Sequence, residues 1–253
     1  MLVARHELLI FALVLGRVAG LTIGAPLLTG ISVPLSLRAI LTATLALVLV
    51  PTQVGATLTP PTSVLALAEM LGRELLVGLA LGLAASITIA AVQMAGAIVG
   101  QLSGMSLAEA FDPCFETEVP VLAQFMTVTA IALFMLLGGQ RLLIEGLLDS
   151  FAHMPPGRAA IGADVAEAVI TVFGDGFTLA ARAAAPAVAS LLIASLTLAA
   201  IGRALPQLTA WALGFGLNTM AALAGLWLSL GTVAFVFDEQ LHSAVALLLD
   251  QLT

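Results

Sequence analysis

Six stretches of this chain are each long enough to cross a bilayer and contain no charged side chain. Residues 18–37 give 20 uncharged positions, 39–68 give 30 and 75–108 give 34. Residues 119–140, 183–202 and 204–237 give 22, 20 and 34 more. A helix needs about 20 residues to cover the ~30 Å hydrocarbon layer. In lipid every backbone N–H and C=O must find its partner inside the protein, so uncharged runs of this length fold as helices. Composition points the same way: 61% of the 253 residues are apolar and only 9% are charged. A soluble domain carries roughly a quarter charged residues, and so few polar groups cannot cover a water-facing surface. The expected fold is all-α, a polytopic membrane protein.

Proline and glycine divide the runs into about six apolar helices, near 8–28, 37–50, 64–100, 119–139, 177–202 and 208–236. The first follows Arg5 and resembles a short signal segment, but Arg17 interrupts it and apolar sequence resumes, so it reads as a retained helix. The lengths are unequal. Residues 39–50 offer only 12 positions before Pro51, too few to cross unaided. Residues 75–108 as one helix would extend ~50 Å at 1.5 Å per residue. Uniform vertical rods do not have such lengths. Bent, tilted or partly embedded helices, buried against other subunits, are expected instead. Arg5, Arg73, Arg141 and Arg158 fall on one side of six crossings, against Arg38 and Arg203, which favours a cytoplasmic N-terminus. Trp211 and Trp227 lie ~24 Å apart on one helix and would mark its two interfaces.

Glycines recur every four residues at Gly16, Gly20 and Gly24, at Gly78 and Gly82, and at Gly96, Gly100 and Gly104. That spacing puts each set on one helix face, where a missing side chain lets another backbone approach. Packing within the chain is the plainer use, and contact with other subunits is the alternative. Ionisable groups inside apolar runs are costly. Arg17 and Arg182 stand in such positions, and reach of each to the interface is expected, with an interhelical ion pair as the alternative. Glu69, Arg73 and Glu74 form a polar group at the start of the third helix, with Glu69 and Arg73 at i, i+4 on one face.

Residues 101–120, QLSGMSLAEAFDPCFETEVP, separate two apolar helices and carry Glu109, Asp112, Glu116 and Glu118 without a base. Asp112-Pro113 is a helix stop. Met105, Leu107, Phe111 and Phe115 keep the stretch apolar enough to pack, which a solvated loop does not require. A packed connector or a flexible apolar plug across a pore both fit, since methionine adapts to irregular gaps.

Net charge is −7, with eight arginines and no lysine, so a basic footprint for nucleic acid is absent. Cys114 is the only cysteine, which excludes an internal disulfide, and His6, His153 and His242 are scattered. His6-Glu7 lacks the second histidine of a zinc-protease helix because position 10 is Ile10. Ser103-Gly104 and Gly174-Asp175-Gly176 do not meet the patterns of intramembrane proteases, and no phosphate-binding loop occurs. Neither an enzyme nor a bound cofactor or metal is expected. A small-solute transporter is a second function class. It calls for an internal repeat and a polar site at mid-membrane, and neither is clear.

Five stretches in one order resemble the FliR/SctT family of type III export-gate subunits. They are GRVAGLTIGAPLLTGISVPLSLRAIL, GRELLVGLALGL, AGAIVGQLSGMSLAEAFDP, LLGGQRLLIEGLLDSFAHMPPG and RALPQLTAWALGFGLNTMAALAGL, from Gly16 to about Leu226. Met-Pro-Pro-Gly after the Gly-Gly-Gln-Arg helix start is the most specific of them. The resemblance implies a non-enzymatic channel subunit of the flagellar gate in the bacterial inner membrane, or of a virulence injectisome. It implies one copy assembled with five FliP and four FliQ subunits, FlhB beside them, and exported flagellar proteins as transient substrates. It further implies a FliP-like part over 1–157 and a FliQ-like hairpin with the C-terminal tail over 158–253. Residues 101–120 would then be the lumen plug, with Met105, Phe111, Asp112, Pro113 and Phe115 as its candidate residues.

Overall fold

A computed structural model describes residues 2–25, 34–53, 61–105, 120–159, 162–204 and 210–251. Seven helices occupy these residues, and among them there is no strand. They are α1 (Leu2–Gly24), α2 (Leu35–Gln53), α3 (Val64–Ser103), α4 (Val121–Leu136), α5 (Gly139–His153), α6 (Ala163–Ala204) and α7 (Ala210–Asp250). Five are long and apolar enough to cross a membrane, or six if α4 and α5 count as one broken span. The chain is an all-α polytopic membrane protein.

Several boundaries differ from those the sequence implies. Helix α2 starts before Arg38 and runs through Pro51, giving 19 residues. Pro51 lies in the last turn, where only the end of the hydrogen-bond ladder is affected, and α2 passes the length test that 39–50 alone fails. Helix α5 is an additional helix, not one of the six apolar runs. Gly138, at φ 73°, ends α4 in a left-handed turn that glycine accepts without strain and starts α5. Helix α7 continues past Asp238 and Glu239 to Asp250, because Leu241, Ala244, Val245 and Leu248 form a buried stripe at helical spacing.

The helices pack into two compact units that interleave along the chain. The first comprises Met1–Ile87, Gly138–Gly174 and Leu241–Thr253. In it α1 and α3 run parallel at very close range. A Cβ on Gly20 would strike Leu75 O and sit 2.7 Å from Leu79 N. One on Gly78 would strike Arg17 O, and one on Gly82 would lie 2.7 Å from Gly24 Cα. Ser86 donates its hydroxyl proton to Gly24 O, satisfying a carbonyl at the end of α1. Helix α5 buries Leu143, Leu147 and Phe151, and its Gly146 faces Val245 of α7.

The second unit comprises Thr88–Leu137 and Asp175–Gln240. Its α3 segment packs antiparallel to α4, where a Cβ on Gly96 would lie 2.6 Å from Leu122 O. Its α6 and α7 segments form an antiparallel pair at Ala187 and Gly225, where an added Cβ would lie 2.5 Å from Ala187 Cα. Ser190 Oγ donates to Ala187 O at 2.7 Å or to Ala221 O at 2.8 Å, tying the two helices together. The division at Gly157 concerns likeness to two smaller subunits and does not coincide with a packing boundary. Both sides of it contribute to each unit.

Candidate functional site

Arg17 is fully buried, and so is Glu74. Arg17 Nε donates to Glu74 Oε2 at 2.6 Å. Nη1 donates to Ser150 Oγ and Nη2 to Met154 O, each at 3.1 Å. The guanidinium carbon lies 4.2 Å from the centroid of the Phe151 ring. The second carboxylate oxygen, Glu74 Oε1, accepts the backbone N–H of Gly157 at 2.7 Å. Ser150 passes its own hydroxyl proton to Leu147 O at 2.7 Å. Every member of the cluster lies in the first unit.

Local sequence explains the convergence. Gly16 and Gly20 flank Arg17, and Gly78 lies one turn beyond Glu74, so the two backbones approach closely enough for a direct pair. The Pro155-Pro156-Gly157 turn follows α5, and Gly157 adopts φ 83°, a left-handed conformation that turns its N–H toward the carboxylate. An isolated buried charge is very costly, but here both oxygens and all three nitrogens of the guanidinium are engaged. The expected reach of Arg17 to the interface does not occur. The interhelical ion pair forms instead, because Glu74 lies directly opposite in α3. Arg182, in contrast, is exposed.

The polar group at the start of α3 divides between two faces. Arg73 Nη2 donates to Glu69 Oε1 at 2.5 Å as an exposed i, i+4 pair, while Glu74 turns inward. The glycines also divide. Gly20, Gly24, Gly78, Gly82 and Gly96 meet backbone at 3.0 Å or less, Gly16 has ordinary contacts near 3.6 Å, and Gly100 meets the Pro120 side chain at 3.4 Å. Gly104 has nothing within 4 Å and adopts φ 80°, so it terminates α3 and does not serve packing.

Of the candidate plug residues, Met105 is half-buried just after that turn. Phe111, Asp112, Pro113 and Phe115 lie outside the described residues. The two flanks are close together, since Gly100 faces Pro120. Pro120 then precedes α4 and accepts the backbone N–H of Gln124. Among the described residues no group of three His, Cys, Asp or Glu side chains could hold a metal.

The family described as bacterial export proteins, family 1, matches residues 8–244. The chain belongs to this family. It is similar to flagellar biosynthetic protein FliR of Escherichia coli, with 34% identity over 164 residues, 61% of each chain. It is 24% identical to FliR of Caulobacter vibrioides over 234 residues, 92% of this chain and 93% of the relative. Yop proteins translocation protein T of Yersinia pestis is 28% identical over 184 residues, 71% of this chain and 67% of the relative. The alignments with the Escherichia coli and Bacillus subtilis relatives span about three fifths of those proteins. All members of the buried network lie inside the stretch matched by the export family. Three of the stretches that carry the resemblance, GRVAG, GRELLVG and HMPPG, meet in it. Sequence reasoning missed Ser150, the Met154 carbonyl and Gly157 as partners. The available signal was a pair of opposite charges, Arg17 and Glu74, each beside a long uncharged run.

Proposed function

We propose that this chain is a structural, non-enzymatic subunit of the flagellar type III export gate in the bacterial inner membrane. The observation that carries the reading is the family match over residues 8–244. In the gate one copy joins five FliP and four FliQ subunits, with FlhB adjoining. Unfolded flagellar proteins pass through the shared conduit as transient substrates. Residues 1–157 act as the FliP-like part and 158–253 as the FliQ-like hairpin.

Helix lengths support an assembled state. Helices α3, α6 and α7 have 40, 42 and 41 residues, about twice what a bilayer needs. Part of each must find burial outside hydrocarbon. Large apolar side chains are available for that, among them Leu196 on α6 and Trp227 and Phe235 on α7. The buried Arg17–Glu74 network fixes α1, α3 and α5 as a rigid frame.

Residues 101–120 serve as the plug. Their flanks meet at Gly100 and Pro120, which brings the two ends of the stretch together. Met105, Phe111 and Phe115 supply apolar closure. Opening is passive, driven by substrate or partner subunits, because the chain carries no nucleotide-binding motif. Deleting residues 106–118 in the assembled gate should make the membrane leak small ions, read with a potential-sensitive dye. A membrane as tight as wild type would count against the plug.

The similarity to Yop proteins translocation protein T favours a second reading, the injectisome counterpart. Expression in a flagellar-gate null strain separates the two. Restored motility supports the flagellar assignment.

A further inference from the structure

Helices α1 and α2 enclose a groove of about 500 Å³ on the first unit. Its walls are apolar, with Leu15 and Ala19 from α1 facing Ala39 and Ala43 from α2. Three polar residues interrupt them: Thr22, Thr42 and Arg38. The two hydroxyls are already satisfied. Thr22 Oγ1 and Thr42 Oγ1 lie 3.0 Å apart, and they donate to Ala19 O at 3.0 Å and Arg38 O at 2.8 Å when not to each other. Arg38 is different. Its Nε is buried without a hydrogen-bond partner, and among the described residues its guanidinium forms no ion pair.

We infer that this groove binds one anionic phospholipid, with the phosphate on Arg38 and an acyl chain along the alanine-lined wall. A buried guanidinium N–H without an acceptor calls for an anion, and phosphate accepts the planar fork with two oxygens. Arg38 also stands in the first turn of α2, where the helix dipole favours negative charge, although its backbone N–H and that of Leu37 are already taken by Pro34 O. The rest of the groove is uncharged and mostly apolar, lined by leucine, isoleucine and alanine side chains, which suits a flexible chain. A ligand with one anionic end and one apolar end satisfies both parts. Arg38 borders the uncharged run 39–68, as an arginine at a membrane interface would. Phospholipid phosphate is present at that depth in any bilayer, and basic pockets between membrane helices hold such head groups. A carboxylate from another subunit would satisfy the charge but would leave the apolar groove empty.

The inference is independent of the export-gate reading and is tested on the full chain in mild detergent. Native mass spectrometry during titration with phosphatidylglycerol should show a retained one-to-one adduct. The same titration with a neutral diacylglycerol should not. Arg38→Gln should weaken the phosphatidylglycerol adduct about tenfold, the loss of one charge-assisted contact. Arg38→Lys should keep part of it. Ala43→Leu, which fills the groove and leaves the arginine, should also weaken it, while Arg203→Gln should not. Helix content by circular dichroism confirms that each variant is folded. No adduct with the wild-type chain, or an adduct unchanged in both Arg38→Gln and Ala43→Leu, overturns the inference. Loss of partner subunits from Arg38→Gln with the lipid adduct intact would assign Arg38 to a protein carboxylate and overturn it as well.

Discussion

Arg17 and Glu74 neutralise each other where no solvent reaches, so removing either leaves an uncompensated charge. Arg17→Leu and Glu74→Leu should each lower stability by about 3–5 kcal/mol. The double variant should lose less than the sum of the two, because the stranded charge is gone. Denaturant midpoints in detergent measure this, and strictly additive losses would contradict the pair. At this scale the sequence is informative about types and silent about partners. Arg17 and Glu74 are conspicuous as charges beside apolar runs, but 57 residues separate them. Ser150 and Met154 lie 133 and 137 residues from Arg17, a distance that no periodicity bridges. Gly157 is legible only as the end of a distinctive Pro-Pro-Gly turn. Its service as a donor to Glu74 depends on the tertiary approach of α3.

Gly78 and Gly72 offer a matched pair at the scale of the element. A Cβ at Gly78 would strike the Arg17 carbonyl, whereas one at Gly72 has nothing within 4 Å. Gly78→Val should force α1 and α3 apart and lower stability by about 1–3 kcal/mol or more. Gly72→Ala should be neutral or slightly stabilising, as expected for an open helix position. Equal behaviour of the two in a thermal-melt comparison would show that the α1–α3 approach is not limiting. The four-residue glycine spacing made that approach legible, since it marks a face whatever the partner. Gly104 shows where spacing misleads: it continues the pattern of Gly96 and Gly100 but ends the helix through a positive φ. Helix α5 was not among the apolar runs because Arg141, Glu145 and Asp149 interrupt its hydrophobicity. Its buried stripe of Leu143, Leu147 and Phe151 is helical in spacing but short.

Over the whole molecule, membrane class and helical fold follow from the uncharged runs alone, because lipid leaves the backbone few alternatives. The two compact units were not legible. Helices α3, α6 and α7 each contribute to both, so the division depends on which segments pack and not on chain order. The exposed apolar side chains on the long helices suit burial in lipid or against neighbouring subunits. The most direct test is gentle extraction of the full chain from a flagellated bacterium, followed by intact-mass measurement of what travels with it. The account predicts one copy of the chain in a stable assembly with FliP and FliQ. Recovery of the chain as a lipid-surrounded monomer, with neither subunit bound, would contradict it.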